Sequence, residues 1–140
     1  MRIQSENGLH FIELLKQEDS LPFYPSICVQ IEGRAYGFSA IVSGVWLSAD
    51  DMRVFLTELV RLEQLREGSA SLESMSPGEV VLSLQKADRA GHMIARLALF
   101  RTISGMVPQP VTQRLSIAFE IDVSLLPQVV RRFRQLIPTA

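Results

Sequence analysis

The sequence has few of the residues that build common catalytic and metal sites. Its 140 residues include one cysteine and two histidines. The single Cys28 excludes a disulfide within the chain, which fits a reducing compartment. His10 and His92 are far apart in the sequence, and neither belongs to an H-E-x-x-H or C-x-x-C pattern. We therefore predict no metal site and place both histidines at polar rim positions.

Long apolar runs and a large charge of one sign are also missing. No apolar run approaches the ~18 residues that cross a bilayer, and the first twenty residues lack the continuous apolar stretch of a signal peptide. The formal net charge is −1, whereas general nucleic-acid binding uses an excess of Lys and Arg. We expect a cytoplasmic protein that binds neither nucleic acid nor membrane.

The composition is that of a folded globular chain. Hydrophobic residues make up 47% and charged residues 21% of the sequence, which is far from the balance of disordered segments. A chain of this length has room for one good hydrophobic core rather than two. We predict a single domain over residues 1–140, without an internal repeat.

Two helices are indicated by capping residues and by apolar spacing near 3.6 residues. Ser48 is a natural N-cap and Gly68 a natural stop, which predicts a helix at about 48–66. The second helix is predicted at about 123–137, where Pro127 is tolerated because it falls in the first turn.

Strands are indicated by period-two alternation in five segments. The first two are predicted to join at a tight turn, Gly33-Arg34. The second continues to Trp46, which shares a side with Ala40 and Val42, and its Gly44 marks either a bulge or a close backbone approach. If Trp46 and Phe55 are core residues, replacing either by alanine should cost ~3–5 kcal/mol. The other three are "EVVLSLQK", "HMIARLALFR" and "RLSIAFEID". The segment Thr102–Thr112 reads as the one substantial loop, with Met106-Val107 exposed.

This order of elements predicts an α+β domain, a mostly antiparallel β-sheet with the two helices packed on one face. The opposite face is then open and polar. Its side chains are either the solvent side of a one-sided sheet or a protein-binding surface. The candidates for partner contacts on this face are Gln85, His92, Arg96, Arg114 and Glu120.

No catalytic constellation is found. Cys28 has no base beside it and reads as a half-buried thiol. The adjacent carboxylates Asp50 and Asp51 are explained by the helix start, where the dipole favours negative charge. The glycines of "GRAYGFSAIVSG" do not follow a phosphate-binding order. We predict a protein that is not an enzyme and uses no cofactor.

Three passages resemble a known family. The run "GFSAIVSGVWLSADDMRVFLTELVRLEQLREGSASLES", the strand "GHMIARLAL" and the passage "LSIAFEIDVSLLPQVVRRFRQL" are similar to WapI-type immunity proteins of bacterial polymorphic-toxin systems. The resemblance extends from about residue 27 to residue 137. It implies a non-catalytic domain that binds a cognate protein toxin and neutralises it.

Two other functions are compatible with the same sequence. One is a small adaptor or homo-oligomeric module, for example a homodimer, without a toxin partner. The other is an enzyme or ligand-binding domain whose site assembles from residues distant in the sequence.

Overall fold

The strands form two antiparallel four-stranded sheets, each a simple meander, in a computed structural model that describes residues 1–20, 22, 24–105 and 108–138. The first sheet consists of β1 (Arg2–Gln4), β2 (Phe11–Ser20), β3 (Ser26–Ala35) and β4 (Phe38–Ser48). The second consists of β5 (Ser69–Glu73), β6 (Val80–Lys86), β7 (Met93–Ile103) and β8 (Val111–Ile121). The predicted α+β class is confirmed, with the strands divided between two sheets where one was expected.

Both predicted helices are present. They are α1 (Ala49–Leu65) and α2 (Leu126–Leu136), the latter preceded by a 3-10 turn, Val123–Leu125. The Ser48 hydroxyl accepts the backbone N–H of Asp51 at 3.1 Å, as its predicted N-cap role requires. Helix α1 ends before the predicted stop at Gly68, because Arg66 itself adopts the left-handed conformation and donates its N–H to the Leu62 carbonyl.

The turn between β3 and β4 differs from its prediction. Gly33-Arg34 is not a turn, because β3 continues to Ala35. The chain reverses at Tyr36-Gly37, where both residues have positive φ, 52° and 87°. Two such residues make the hairpin turn whose twist matches that of the flanking strands.

Strand β4 changes phase at a bulge. The register with β3 shifts between Val29 and Ile31, opposite the segment that contains Gly44. Gly44 has a φ of +72°, which agrees with the predicted bulge. Beyond it, Val45 and Leu47 are buried, whereas Trp46 is only half-buried and pairs with Cys28 on the other side of the strand. The prediction that Trp46 shares the core side of β4 is therefore wrong.

Three strands had no counterpart in the sequence-based prediction, namely β1, β2 and β5. The segment predicted as a loop is also shorter, because β7 continues to Ile103 and β8 begins at Val111. Met106 and Val107, predicted to be exposed, lie outside the described residues.

The inner sides of the two sheets pack together around Gly33. A Cβ placed on this residue would lie 2.7 Å from the Ile117 Cδ1 and 2.7 Å from the Leu97 Cδ2. The missing side chain therefore lets β3 approach β7 and β8 closely. Buried side chains of both sheets and both helices form one continuous hydrophobic cluster.

Four strands followed by a helix occur twice in succession, β1–β4 with α1 and β5–β8 with α2. Each helix lies beside the sheet of the other unit. Helix α1 runs beside β5, and the Glu58 carboxylate accepts the Ser71 backbone N–H at 3.3 Å. Helix α2 and β1 line a shared crevice of about 130 Å³. The Phe55 and Phe133 rings join the two helices edge to face, with centroids 4.9 Å apart.

Among the described residues, no helix combines the length and the apolar character needed to cross a membrane.

Candidate functional site

One side of the second sheet points away from the core and is open to solvent. We call it the outer face. Inward-pointing residues are buried along β6, from Met93 to Leu99 in β7 and from Ile117 to Ile121 in β8, and the residues between them are half-buried or exposed, as the predicted alternation requires. At the other end of the β7–β8 hairpin, residues 101–103 and 111–114 are exposed on both sides. The outer face consists of Ser83, Gln85, Ile94, Arg96, Ala98, Phe100, Arg114, Ser116, Ala118 and Glu120.

Four of the five candidate residues lie on this face. Gln85 and Glu120 flank Ile94 in one cross-strand row, and Arg96 lies in the neighbouring row between Ser83 and Ala118. Arg114 is six residues from Glu120 along β8, or roughly 20 Å at the usual strand rise.

His92 lies beside the outer face rather than on it. It is the last residue of the turn that precedes β7. Its Nε2 is 3.8 Å from the Glu120 carboxylate, so the ring still borders the row that contains Gln85. The structure thus brings His92 and Glu120 together, with Gln85 across β7 in the same row, Arg96 in the next row and Arg114 at the far end.

The arginines of the outer face differ in their surroundings. The Arg114 guanidinium lies over the ring of Phe100, 5.0 Å from its centroid, and this contact covers part of the apolar ring. Arg96 is exposed and forms no ion pair with any described residue. Its five donors are therefore available to acceptors on another molecule.

An open cleft of about 840 Å³ at one end of the molecule contains both histidines. His10 lines it from the β1–β2 connection, stacked on Tyr36 with ring centroids 4.0 Å apart. His92 lines it from the second sheet, together with Glu120 and Asp122. Sequence reasoning treated the two histidines separately because their proximity depends on how the sheets are placed.

His92 and Asp88 form the closest polar pair near this cleft. The His92 Nδ1 and an Asp88 carboxylate oxygen are 2.6 Å apart. This hydrogen bond, with the negative charges of Asp88 and Glu120, raises the pKa of His92 above its usual 6.5. The same hydrogen bond lowers the pKa of Asp88 below 3.8. The pair is exposed, so its effect on stability is small and sensitive to salt.

The His92–Asp88 pair predicts a defined pH dependence. Because folding raises the pKa of His92, protonated His92 stabilises the fold; this stabilisation is complete below pH ~6.5 and is lost as the pH rises through the folded-state pKa. Because folding lowers the pKa of Asp88, ionised Asp88 also stabilises the fold; this stabilisation is complete above pH ~3.8 and is lost as the pH falls through the folded-state pKa. We expect Asp88→Asn to destabilise the chain most between about pH 4 and 6.5, and to return the pKa of His92 toward 6.5. NMR titration of the imidazole measures this; an unchanged His92 pKa in Asp88→Asn would contradict it.

No nucleophile faces the His92–Asp88 pair within the described part of the cleft. The Ser5 hydroxyl is committed to its own turn, where it donates to Asn7 at 2.7 Å and accepts the His10 backbone N–H at 3.1 Å. Among the described residues, no group of three or more His, Cys, Asp or Glu side chains is arranged to hold a metal ion.

Cys28 lies outside both regions. It is buried, and its thiol contacts the Gln17 side-chain oxygen at 3.7 Å. Burial, with a smaller effect of the Glu18 charge, raises the pKa of the Cys28 thiol. A raised pKa keeps the sulfur protonated and unreactive. The thiol is more deeply buried than the predicted half-buried position, because Cys28 is only 4% exposed.

Comparison with known proteins found no match to a family model, to a curated protein or to a solved structure.

Proposed function

We propose that this chain is a non-catalytic protein-binding domain whose partner binds the outer face. One observation carries the proposal: a sheet surface open to solvent combines half-buried apolar groups with an unpaired arginine. Ile94 and Phe100 supply the apolar part, and Arg96 supplies free donors. Arginine and aromatic residues are enriched in protein interfaces, and apolar rows flanked by polar groups are typical of their centres.

The resemblance to WapI-type immunity proteins specifies the partner further. The chain then neutralises a cognate bacterial toxin in the cytoplasm by binding to it and occluding it. This role needs a rigid surface and no chemistry, which suits a face held by three paired strands. The alternative is an adaptor or homo-oligomeric module that binds through the same face but has no toxin partner.

Charge reversal at Arg96 is the test. In a bacterium that expresses a toxin domain encoded beside this gene, we expect the native chain to restore growth and Arg96→Glu to lose that protection. Affinity for the purified toxin domain should fall at least roughly tenfold, or ~1.4 kcal/mol, because the reversed charge meets the acceptors that Arg96 served.

Arg131→Glu is the matched control, because Arg131 is also exposed but lies on α2. It should protect as well as the native chain does. Equal affinity for Arg96→Glu and the native chain would exclude the outer face as the binding surface. Absence of both protection and binding by the native chain, against the toxin domains encoded beside this gene, would reject neutralisation and favour the adaptor alternative.

A further inference from the structure

The outer edges of the two sheets are not equally protected against pairing with another strand. Edge strands expose unpaired backbone groups, and proteins limit this by short strands, bulges or covering segments. Strand β1 has three residues and β5 has five, and α1 covers β5 through the Glu58–Ser71 hydrogen bond. Strand β4 is bulged near Gly44, and its Trp46 carbonyl accepts the Met75 N–H at 2.8 Å.

Strand β8 is neither short nor bulged, and no backbone hydrogen bond from another described segment reaches its second side. It runs for eleven residues, pairs with β7 without a register shift and contains neither Pro nor Gly. No other strand of the described chain pairs along its second side. At the usual strand rise this is an edge of roughly 35 Å, and it borders the outer face directly.

The backbone groups that point toward this open edge can be identified. The Phe100 N–H donates to the Glu79 carbonyl, on the side of β6, so even-numbered residues of β7 point to β6 and odd-numbered residues point to β8. The observed register pairs odd residues of β7 with odd residues of β8. The free N–H and C=O groups of β8 therefore belong to its even-numbered residues, Thr112, Arg114, Ser116, Ala118 and Glu120.

We propose that the β8 edge pairs with β8 of a second copy of this chain, antiparallel and around a twofold axis at Ile117. In this register Arg114 lies opposite Glu120 of the second copy, and Glu120 lies opposite Arg114. Ser116 lies opposite Ala118 in the same way. All of these are even-numbered positions, so each pair can exchange two backbone hydrogen bonds.

The charged side chains along the β8 edge favour a second copy of this chain as the partner, and they also favour one register of pairing. Arg114 and Glu120 are equidistant from Ile117, so antiparallel self-pairing places opposite charges together twice. Centring the pairing on Ser116 would place Arg114 opposite Ala118 and leave both charges unmatched. Centring it on Ala118 would place Arg114 opposite Asp122, which lies beyond the strand and already accepts the Ser124 N–H at 2.8 Å.

The energetics indicate a weak, concentration-dependent dimer. About eight backbone hydrogen bonds form, and their modest net contributions are largely offset by the entropic cost of association. Inward-pointing Ile117 and Phe119 are already buried in the single chain and add little. The product is a continuous eight-stranded sheet with two adjoining outer faces, and its formation does not depend on the proposed function.

A charge-swap experiment tests the pairing. Sedimentation velocity should show the native chain shift from monomer to dimer as its concentration is raised. Arg114→Glu alone places four carboxylates at the interface, and Glu120→Arg alone places four guanidinium groups there. Each should weaken self-association at least roughly tenfold, because two favourable pairs become two repulsive ones.

Mixing the two single variants should restore a dimer, because each reversed charge then faces its complement. The double variant Arg114→Glu/Glu120→Arg should self-associate like the native chain. Circular dichroism and thermal unfolding verify that the single variants fold. The proposal is overturned if native chains remain single at every concentration, or if mixing the variants does not restore association.

Discussion

Replacing Phe55 by alanine should lower the free energy of unfolding by about 3–5 kcal/mol. The side chain has no exposed surface and its ring meets Phe133 edge to face. Removal would leave a cavity where the two helices join, and the surrounding helices and sheets can collapse into it only partly. Urea unfolding followed by circular dichroism measures the loss.

Trp46→Ala is the matched control for Phe55→Ala. The sequence alone predicts the same large loss for Trp46, but the structure places this ring half-buried on the outward side of β4. We therefore expect a clearly smaller decrease than for Phe55→Ala. A decrease of equal size would contradict the placement of the bulge that turns Trp46 away from the core.

Gly33→Ala should destabilise the fold by about 1–3 kcal/mol, the usual cost of adding a methyl group to a packed core. The new Cβ would lie 2.7 Å from carbon atoms of Ile117 and Leu97, both buried in the packed core. One or both side chains must leave their positions, or the sheets must separate. Equilibrium unfolding of the variant measures this cost.

The same contact can be tested by removing the atom that the methyl group meets. Ile117→Val deletes the Cδ1 and should cost about 0.5–1.5 kcal/mol in the native background. It should cost less, or nothing, in the Gly33→Ala background, because the two changes then compensate. Strictly additive losses would show that the sheets do not touch at this point.

The sequence predicts those parts of the fold that local rules decide. Helix α1 begins where the Ser48 cap places it, and β6, β7 and β8 alternate as their period requires. The outward positions of Gln85, Arg96, Arg114 and Glu120 follow from the same alternation.

Features that depend on contacts between distant segments were not predictable in this way. In β2 the apolar residues Phe11, Ile12, Leu14 and Leu15 do not alternate, so pairing with β3 rather than local pattern makes this segment a strand. The sequence-based prediction placed a turn at Gly33 because glycine commonly marks turns. Its actual role, contact with the second sheet, has no local signal.

The same limit applies to the candidate site. The outer face follows from strand parity alone, whereas the cleft requires His10 of the first sheet's connection and His92 of the second sheet to meet. No spacing rule relates two residues on different sheets. The bulge at Gly44 was anticipated from the glycine, but a single parity was still carried across it, and this misplaced Trp46.

The twofold occurrence of four strands and a helix has a consequence for symmetry. In a homodimer built from two copies of one such unit, both copies would have the same edge strands. An edge left open in one copy would then be open in the other. In a single continuous polypeptide the halves can diverge: the last strand of the first unit is bulged and capped by a neighbouring segment, while that of the second remains straight and bare. A continuous polypeptide can therefore protect the last strand of one half and leave the last strand of the other half open for pairing.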